Sequence, residues 1–300
     1  MRNLDNELQK LIDFANKHKN IRGLVLQGSY VNPNAPMDIF SDLDPLFYVV
    51  DVNEWIHDLS WKNEFGEVVS EWGDSWDIKD GLKGYTRLTL FKDGFKLDFG
   101  FQDIRSAEYA NDMPLYKVYV DKDNAIPTPE VADERKFYVE KPTQEEFDTV
   151  LVDFFFDTSY VVKTIYREEL FFQKYMFGIL HKKIYDLVRW YIGSQFDFKV
   201  NTGSMGRYFK RYLTKVEWEL LERTYSGPCV ESNVRALLTM FELVHYLGYK
   251  IAKQLEFTYP DKLNDDMLVY CTTLIDKHIS SSKDFQGSCK NERIDIHEEN

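Results

Sequence analysis

Apolar positions follow two different rhythms along the chain. Up to about residue 140 they fall in short runs broken by turn residues: LVLQG, PLFYVVD, TRLTLFKDG, FKLDFGF and YKVYVDKD. Such runs predict strands, and Asp93-Gly94 between two of them is a hairpin signal. The opening MRNLDNELQKLIDFANKHK has the charged, amphipathic pattern of a helix rather than that of a signal peptide. Residues 52–76 read as partly helical, with Trp and Phe on an apolar face. After AIPTPEVADERKFYVEKPT, rich in proline and charge as domain boundaries often are, the rhythm becomes helical. Helices are predicted over 145–192, Lys215–Arg223, Val230–Gln254 and Lys262–Lys277. The expected architecture is an α/β (α+β) domain with a mixed sheet over 1–140 and a helical bundle over 145–278. The polar residues 279–300 are expected to form a disordered tail. No internal repeat is visible.

Composition adds a compartment and a charge. No run approaches ~18 consecutive apolar residues, and 44% of the chain is apolar, enough for real cores. Cys229, Cys271 and Cys289 are widely spaced and fit no motif, which predicts incidental thiols in a reducing, cytoplasmic setting. The chain carries a formal charge of −13, and residues 1–140 hold 26 acidic against 16 basic side chains. That balance disfavours nucleic-acid backbones. It favours a cationic small molecule through focusing of the field in a cleft.

The chemistry concentrates in LVLQGSYVNPNAPMDIFSDLDPLFYVVD. A strand runs into Gly28-Ser29, and a second strand begins behind Asp42-Leu43-Asp44. Residues two apart on a strand face the same way, so the two carboxylates can lie side by side, where they repel each other unless a cation intervenes. Hard oxygen donors suit Mg²⁺, usually held by one or two carboxylates plus substrate phosphates. The Gly28-Ser29 turn offers N–H groups and a hydroxyl to those phosphates. Asp98, in FKLDF, supplies a third carboxylate to complete the metal site or to take a proton from an acceptor hydroxyl. This is the layout of a nucleotidyltransferase site.

The chain resembles the aminoglycoside 6-adenylyltransferases (streptomycin adenylyltransferases) along roughly residues 5–275. The resemblance is carried by GSYVNPNAPMDIFSDLD (Gly28–Asp44), DGFKLDF (Asp93–Phe99), KPTQEEFD, SYVVKTIYREEL, RWYIG, GRYFKRYL and EWELLERTYS. It implies a nucleotidyltransferase-type first domain, Mg²⁺ as cofactor and ATP as co-substrate. AMP would pass to a cationic aminoglycoside such as streptomycin, conferring resistance. The implied sites are Asp42, Asp44 and Asp98 for catalysis and metal binding, and Gly28, Ser29 and Lys163 for the nucleotide. A monomer or weak dimer is expected, with neither nucleic acid nor membrane as partner.

Two positions depart from the family pattern. Tyr30 stands where a basic residue usually follows Gly-Ser, and Ser204 where a Lys usually follows Gly. They leave open an altered acceptor or a nucleotide-binding homologue without transfer activity. Lys210 and Arg211 offer a substitute for the charge missing at Ser204. Lys163 and Arg167 share a helix face, with Phe154, Tyr160 and Tyr166 nearby. Asp153, Asp157, Glu168 and Glu169 are candidate carboxylates for guanidinium groups, and Phe155 and Tyr160 candidate stacking rings. Trp190 and Tyr191 read as core. His57, His181 and His245 lack metal-ligand spacing, and neither a GxSxG motif nor a P-loop is present.

Overall fold

The structure, a computed structural model, describes residues 2–113, 115–128 and 134–279. The chain divides into two compact units between Lys136 and Phe137. Val139 already belongs to the helical core, its N–H donating to the Val200 carbonyl.

The first unit is a six-stranded mixed sheet with helices on one face. Helix α1 (Leu4–Lys17) starts where the Asn3 side chain accepts from the Asn6 N–H, a usual way to satisfy an orphan helix donor. It buries Leu11, Phe14 and Ala15. The strands are β1 (Ile21–Gln27), β2 (Asp44–Val49), β3 (Val68–Asp77), β4 (Lys83–Phe91), β5 (Lys96–Asp103) and β6 (Tyr116–Asp121), with a short helix α2 (Asn53–His57) between β2 and β3. Their spatial order is β3-β4-β5-β2-β1-β6. Every neighbouring pair is antiparallel except β2 and β5, which run parallel. At the β4–β5 hairpin Gly94 takes φ 85°, a left-handed conformation that glycine adopts without penalty.

The mixed sheet and covering helices agree with the sequence reading, but residues 52–76 do not form the extended helical stretch expected there. Only Asn53–His57 is α-helical, Ser60–Glu64 makes a 3₁₀ turn, and β3 begins at Val68. Trp55, Trp61 and Phe65 do pack on the core as an apolar face would. Trp72 and Trp76, counted with them, lie on one face of an exposed edge strand. Aromatic and β-branched residues favour that pleated surface once a partner strand is available.

The two faces of the sheet differ. One packs Leu24, Leu26, Phe47, Val49, Leu97, Phe99 and Phe101 against α1, Trp55, Trp61 and Phe65. Trp55 stacks on Phe101 at 4.9 Å between centroids. The other face is covered only in part, where Val25, Leu46 and Tyr48 meet Ala107, Ala110 and Ile126.

The second unit is helical, as expected: α3 (Gln144–Tyr166), α4 (Leu170–Gln195), α5 (Phe209–Tyr212), α6 (Lys215–Glu222), α7 (Val230–Leu255) and α8 (Asp261–Leu274). Thr143–Glu146 and Thr214–Glu217 form capping boxes at the starts of α3 and α6, each satisfying two orphan donors reciprocally. Buried Glu217 also accepts from the Tyr191 and Tyr246 hydroxyls. The tail expected to be disordered lies outside the described residues from Ser280 onward. Ile279, grouped with it, is buried in the helical core. Among the cysteines, Cys271 is free and buried, whereas Cys229 is disulfide-bonded. The expectation of incidental thiols therefore fails for Cys229, and cysteine usage carries no conclusion about compartment. Cys289 lies outside the described residues. No described helix is long and apolar enough to cross a membrane.

Leu43 sits fully buried in the sheet core between two partly exposed aspartates. Leu43→Ala is expected to cost about 2–5 kcal/mol, measurable by urea unfolding, because truncation leaves a cavity directly behind the carboxylates.

Candidate active site

Two strands, β2 and β5, bring the acidic residues together. The Cβ positions of Asp42 and Asp44 fall on one side of the chain while Leu43 points into the core on the other. Parallel pairing of β2 with β5 sets Leu46 beside Gly100, and a bridge continues it at Leu43 and Leu97. The Asp98 N–H donates to the Leu43 carbonyl at 3.2 Å. Asp98 thereby arrives next to the Asp42–Asp44 pair, and one carboxylate oxygen from each of the three lies within 4.8 Å of the others.

The Gly28-Ser29 turn closes the same corner. Gln27 pairs with Asp44 at the end of the β1–β2 ladder, and Gly28 then takes φ 73° and ψ −151°. A Cβ at residue 28 would meet the Asp44 Oδ2 at 2.1 Å. Glycine is needed here for its conformation and because the carboxylate occupies the space. Ser29 opens a single 3₁₀ turn.

Electrostatics follow from this crowding. Burial, and then the charges of Asp42 and Asp98, push the Asp44 carboxyl up to about 6. Asp98 is also raised, by burial first, with Lys96 opposing and Asp42 adding. Its Oδ1 is buried without a hydrogen-bond partner. A buried carboxylate oxygen lacking a donor is costly, and a set of hard oxygen ligands is the usual way to hold Mg²⁺. The three carboxylates therefore fit a divalent cation.

Lys96 is the site residue that the sequence reading missed. Its ammonium donates to Asp98 Oδ2 at 2.6 Å and to Asp42 Oδ2 at 3.3 Å. The signal was present: Lys96 lies two residues before Asp98 on the same strand and so on the same face.

Other candidates have definite places. Tyr30 turns its hydroxyl to Asp5 of α1 at 2.8 Å. Burial and that bond push its pKa up to about 12, so it is a neutral anchor between turn and helix. In the second unit, Lys163 on α3 is exposed, with its ammonium 5.2 Å from the Tyr160 ring centre. Arg167 is the C-cap of α3. Phe154 and Phe155 are fully buried, which corrects the idea that Phe155 stacks on a ligand: the ring fills the bundle core. Tyr160 remains partly exposed. Asp153 is paired with Lys183, and Asp157 is raised by burial and by Asp153. Glu168, at φ 56°, and Glu169 turn the chain from α3 into α4. Ser204 opens a short 3₁₀ turn after Gly203, which takes φ 72°. Lys210 lies over Trp218 and Arg211 over Tyr208. Trp190 and Tyr191 pack against the core. His57, His181 and His245 join no metal-binding group among the described residues.

A sheet carrying a Gly-Ser turn, a DxD pair behind the next strand and a third carboxylate on the parallel neighbour defines a nucleotidyltransferase. Residues 1–274 match the family described as "Streptomycin adenylyltransferase", and the chain belongs to that family. It is 31% identical over 267 residues to the aminoglycoside 6-adenylyltransferase of Bacillus subtilis (strain 168), covering 87% of this chain and 94% of the relative. It is 30% identical over 254 residues to the enzyme of the same name from Campylobacter jejuni, covering 83% and 88% respectively. A solved aminoglycoside 6-adenyltransferase from Bacillus subtilis is 26% identical, with 91% of this chain and 99% of that chain covered at a TM-score of 0.44. Family membership rests on the sequence matches.

Two predictions test the electrostatics of the site. The Asp44 carboxyl rises from 3.8 to about 6 in the folded state, so the folded protein binds that proton more readily than the unfolded chain. The resulting destabilisation is absent below the lower value and complete above the higher one. With EDTA present at neutral pH, Asp44→Asn is expected to stabilise the fold by about 1–2 kcal/mol, a gain that shrinks as the pH falls through about 6 towards 4. Denaturant titrations across that range measure it. Lys96→Met is expected to lower stability in EDTA by about 1 kcal/mol, or about 2–4 °C in Tm. Adding Mg²⁺ should recover that loss in the variant.

Proposed function

We propose that this chain transfers AMP from ATP to a hydroxyl of an aminoglycoside, with the 6-hydroxyl of streptomycin as the first acceptor to test. The observation that carries the reading is the convergence of Asp42, Asp44 and Asp98 within 4.8 Å beside a glycine turn. Asp42 and Asp44 are assigned to hold Mg²⁺, with Asp98 completing the set. When bound, the ion neutralises charge at the α-phosphate. Gly28 and Ser29 present backbone N–H groups and a hydroxyl to the β- and γ-phosphates, and Lys163 is assigned to the same phosphates.

Asp98 has a second assigned role. Its pKa is raised, by burial first, which makes it a stronger proton acceptor than an ordinary carboxylate. The acceptor hydroxyl loses its proton to Asp98 as its oxygen bonds to the α-phosphorus. The bond to the bridging oxygen breaks, pyrophosphate leaves, and the proton passes to solvent. Positioning of the hydroxyl in line with the leaving group supplies much of the rate. The net negative first unit favours a polycationic acceptor. Retention of three carboxylates favours transfer over mere nucleotide binding, since a binder has little use for three negative charges beside a triphosphate. Use of ATP assigns the reaction to the cytoplasm.

The test is pyrophosphate release from Mg·ATP with and without streptomycin, with mass spectrometry of the antibiotic. Streptomycin-dependent release and an AMP adduct are expected. Absence of an adduct across a panel of aminoglycosides, despite ATP binding, would overturn the reading. Asp98→Asn is expected to lower kcat by about 10²–10⁴-fold with ATP affinity within a few-fold of the parent, measured by steady-state kinetics and calorimetry.

A further inference from the structure

The face of the sheet that carries Asp98 extends two strands beyond it. Residues directly opposite in an antiparallel ladder point to the same side. Asp98 is opposite Leu88, and Leu88 is opposite Trp72; Gly100 leads in the same way through Thr86 to Asp74, and Gln102 through Gly84 to Trp76. Trp72, Asp74 and Trp76 therefore line the outer margin of the face on which the carboxylates sit, roughly 10 Å from Asp98 by strand spacing. Between them stand Leu88 and Thr86, with glycines at residues 84 and 100. The Trp76 indole lies across Gly84, where a Cβ would come 2.3 Å from the ring.

The margin is open. Trp72 is 56% and Trp76 36% exposed. Its charge is also uncompensated at one place only. Glu71 pairs with Lys62 and Asp77 with Lys83, but no ion pair joins Asp74 among the described residues; its carboxylate accepts only the N–H of Ser75. An unpaired carboxylate flanked by two exposed indoles has the chemistry for a guanidinium or ammonium group: cation–π attraction to the rings and charge-assisted hydrogen bonds to the acid. A second copy of the strand is the less suitable occupant, because Glu71, Asp74 and Asp77 would approach their own counterparts and like charges placed across strands repel.

We propose that Trp72, Asp74 and Trp76 form the acceptor-binding wall of this enzyme, holding a cationic group of the acceptor while its hydroxyl reaches Asp98. The proposal rests on the transfer reading above and adds the residues that select the acceptor. Calorimetric titration with streptomycin, in the presence of Mg²⁺ and a non-hydrolysable ATP analogue, tests it without turnover. Trp72→Ala and Asp74→Asn are each expected to weaken streptomycin binding about tenfold or more. Affinity for the nucleotide should be unchanged, with the loss in KM rather than in kcat at saturating acceptor, and Asp74→Glu should recover part of it. Parent-like streptomycin affinity in both variants, or no binding by the parent protein, would overturn the wall. So would a change of oligomeric state in Trp72→Ala by sedimentation, which would assign the row to a subunit contact. Streptomycin binding without an AMP adduct would instead overturn the transfer reading and leave the wall standing.

Discussion

Mutual repulsion among three carboxylates gathered at one corner of the sheet is the constraint around which the first unit is arranged. Asp42 and Asp44 are held on one face because Leu43 is locked into the core on the other, and Asp98 is brought to them by the parallel β2–β5 joint. The corner tolerates the crowding through two devices. Gly28 withdraws every side-chain atom from beside Asp44, and the Lys96 ammonium bridges Asp42 and Asp98. What remains unneutralised shows in the raised Asp44 and Asp98 carboxyls and in the partnerless Asp98 oxygen. Such residual destabilisation is what a set of carboxylates fit for a divalent cation carries when no cation lies between them.

Much of this was legible in the chain because it depends on short periods. The two-residue repeat placed Asp42 and Asp44 together, the Asp93-Gly94 pair marked the β4–β5 hairpin, and the 3.6-residue rhythm marked α3, α4, α7 and α8. What escaped depends on partners distant in sequence. Residues 52–76 read as partly helical because Trp and Val suit either structure, and from Val68 onward only pairing with β4 decides for a strand. Lys96 was not singled out, because only the parallel joint sets Asp42 beside it. Tyr30 reads in the sequence only as a departure from the basic residue that usually follows Gly-Ser, and its bond to Asp5 of α1 is not visible there. Phe155 looked available, but helix packing takes its ring completely.

The helical unit follows a different logic. Its polar burial is concentrated where helices start and stop rather than gathered for a ligand. Glu217 closes a capping box and accepts two tyrosine hydroxyls, while Lys174 donates to the Ser226 and Gly227 carbonyls and to the Asn233 side chain. These networks satisfy groups that would otherwise be buried without partners, and so fix how the chain turns between its long helices.

The parallel β2–β5 joint has a kinetic meaning. Lys96 and Asp42 are 54 positions apart in the chain, and the hairpin of β3 and β4 is inserted between the strands they belong to. Contacts of that separation form only after the intervening loop has paid its closure entropy. An unfinished chain, on a ribosome or in a refolding mixture, has its DxD pair in one fragment and its third carboxylate in another. The corner of three carboxylates thus exists only once β2 has paired with β5 across the inserted hairpin.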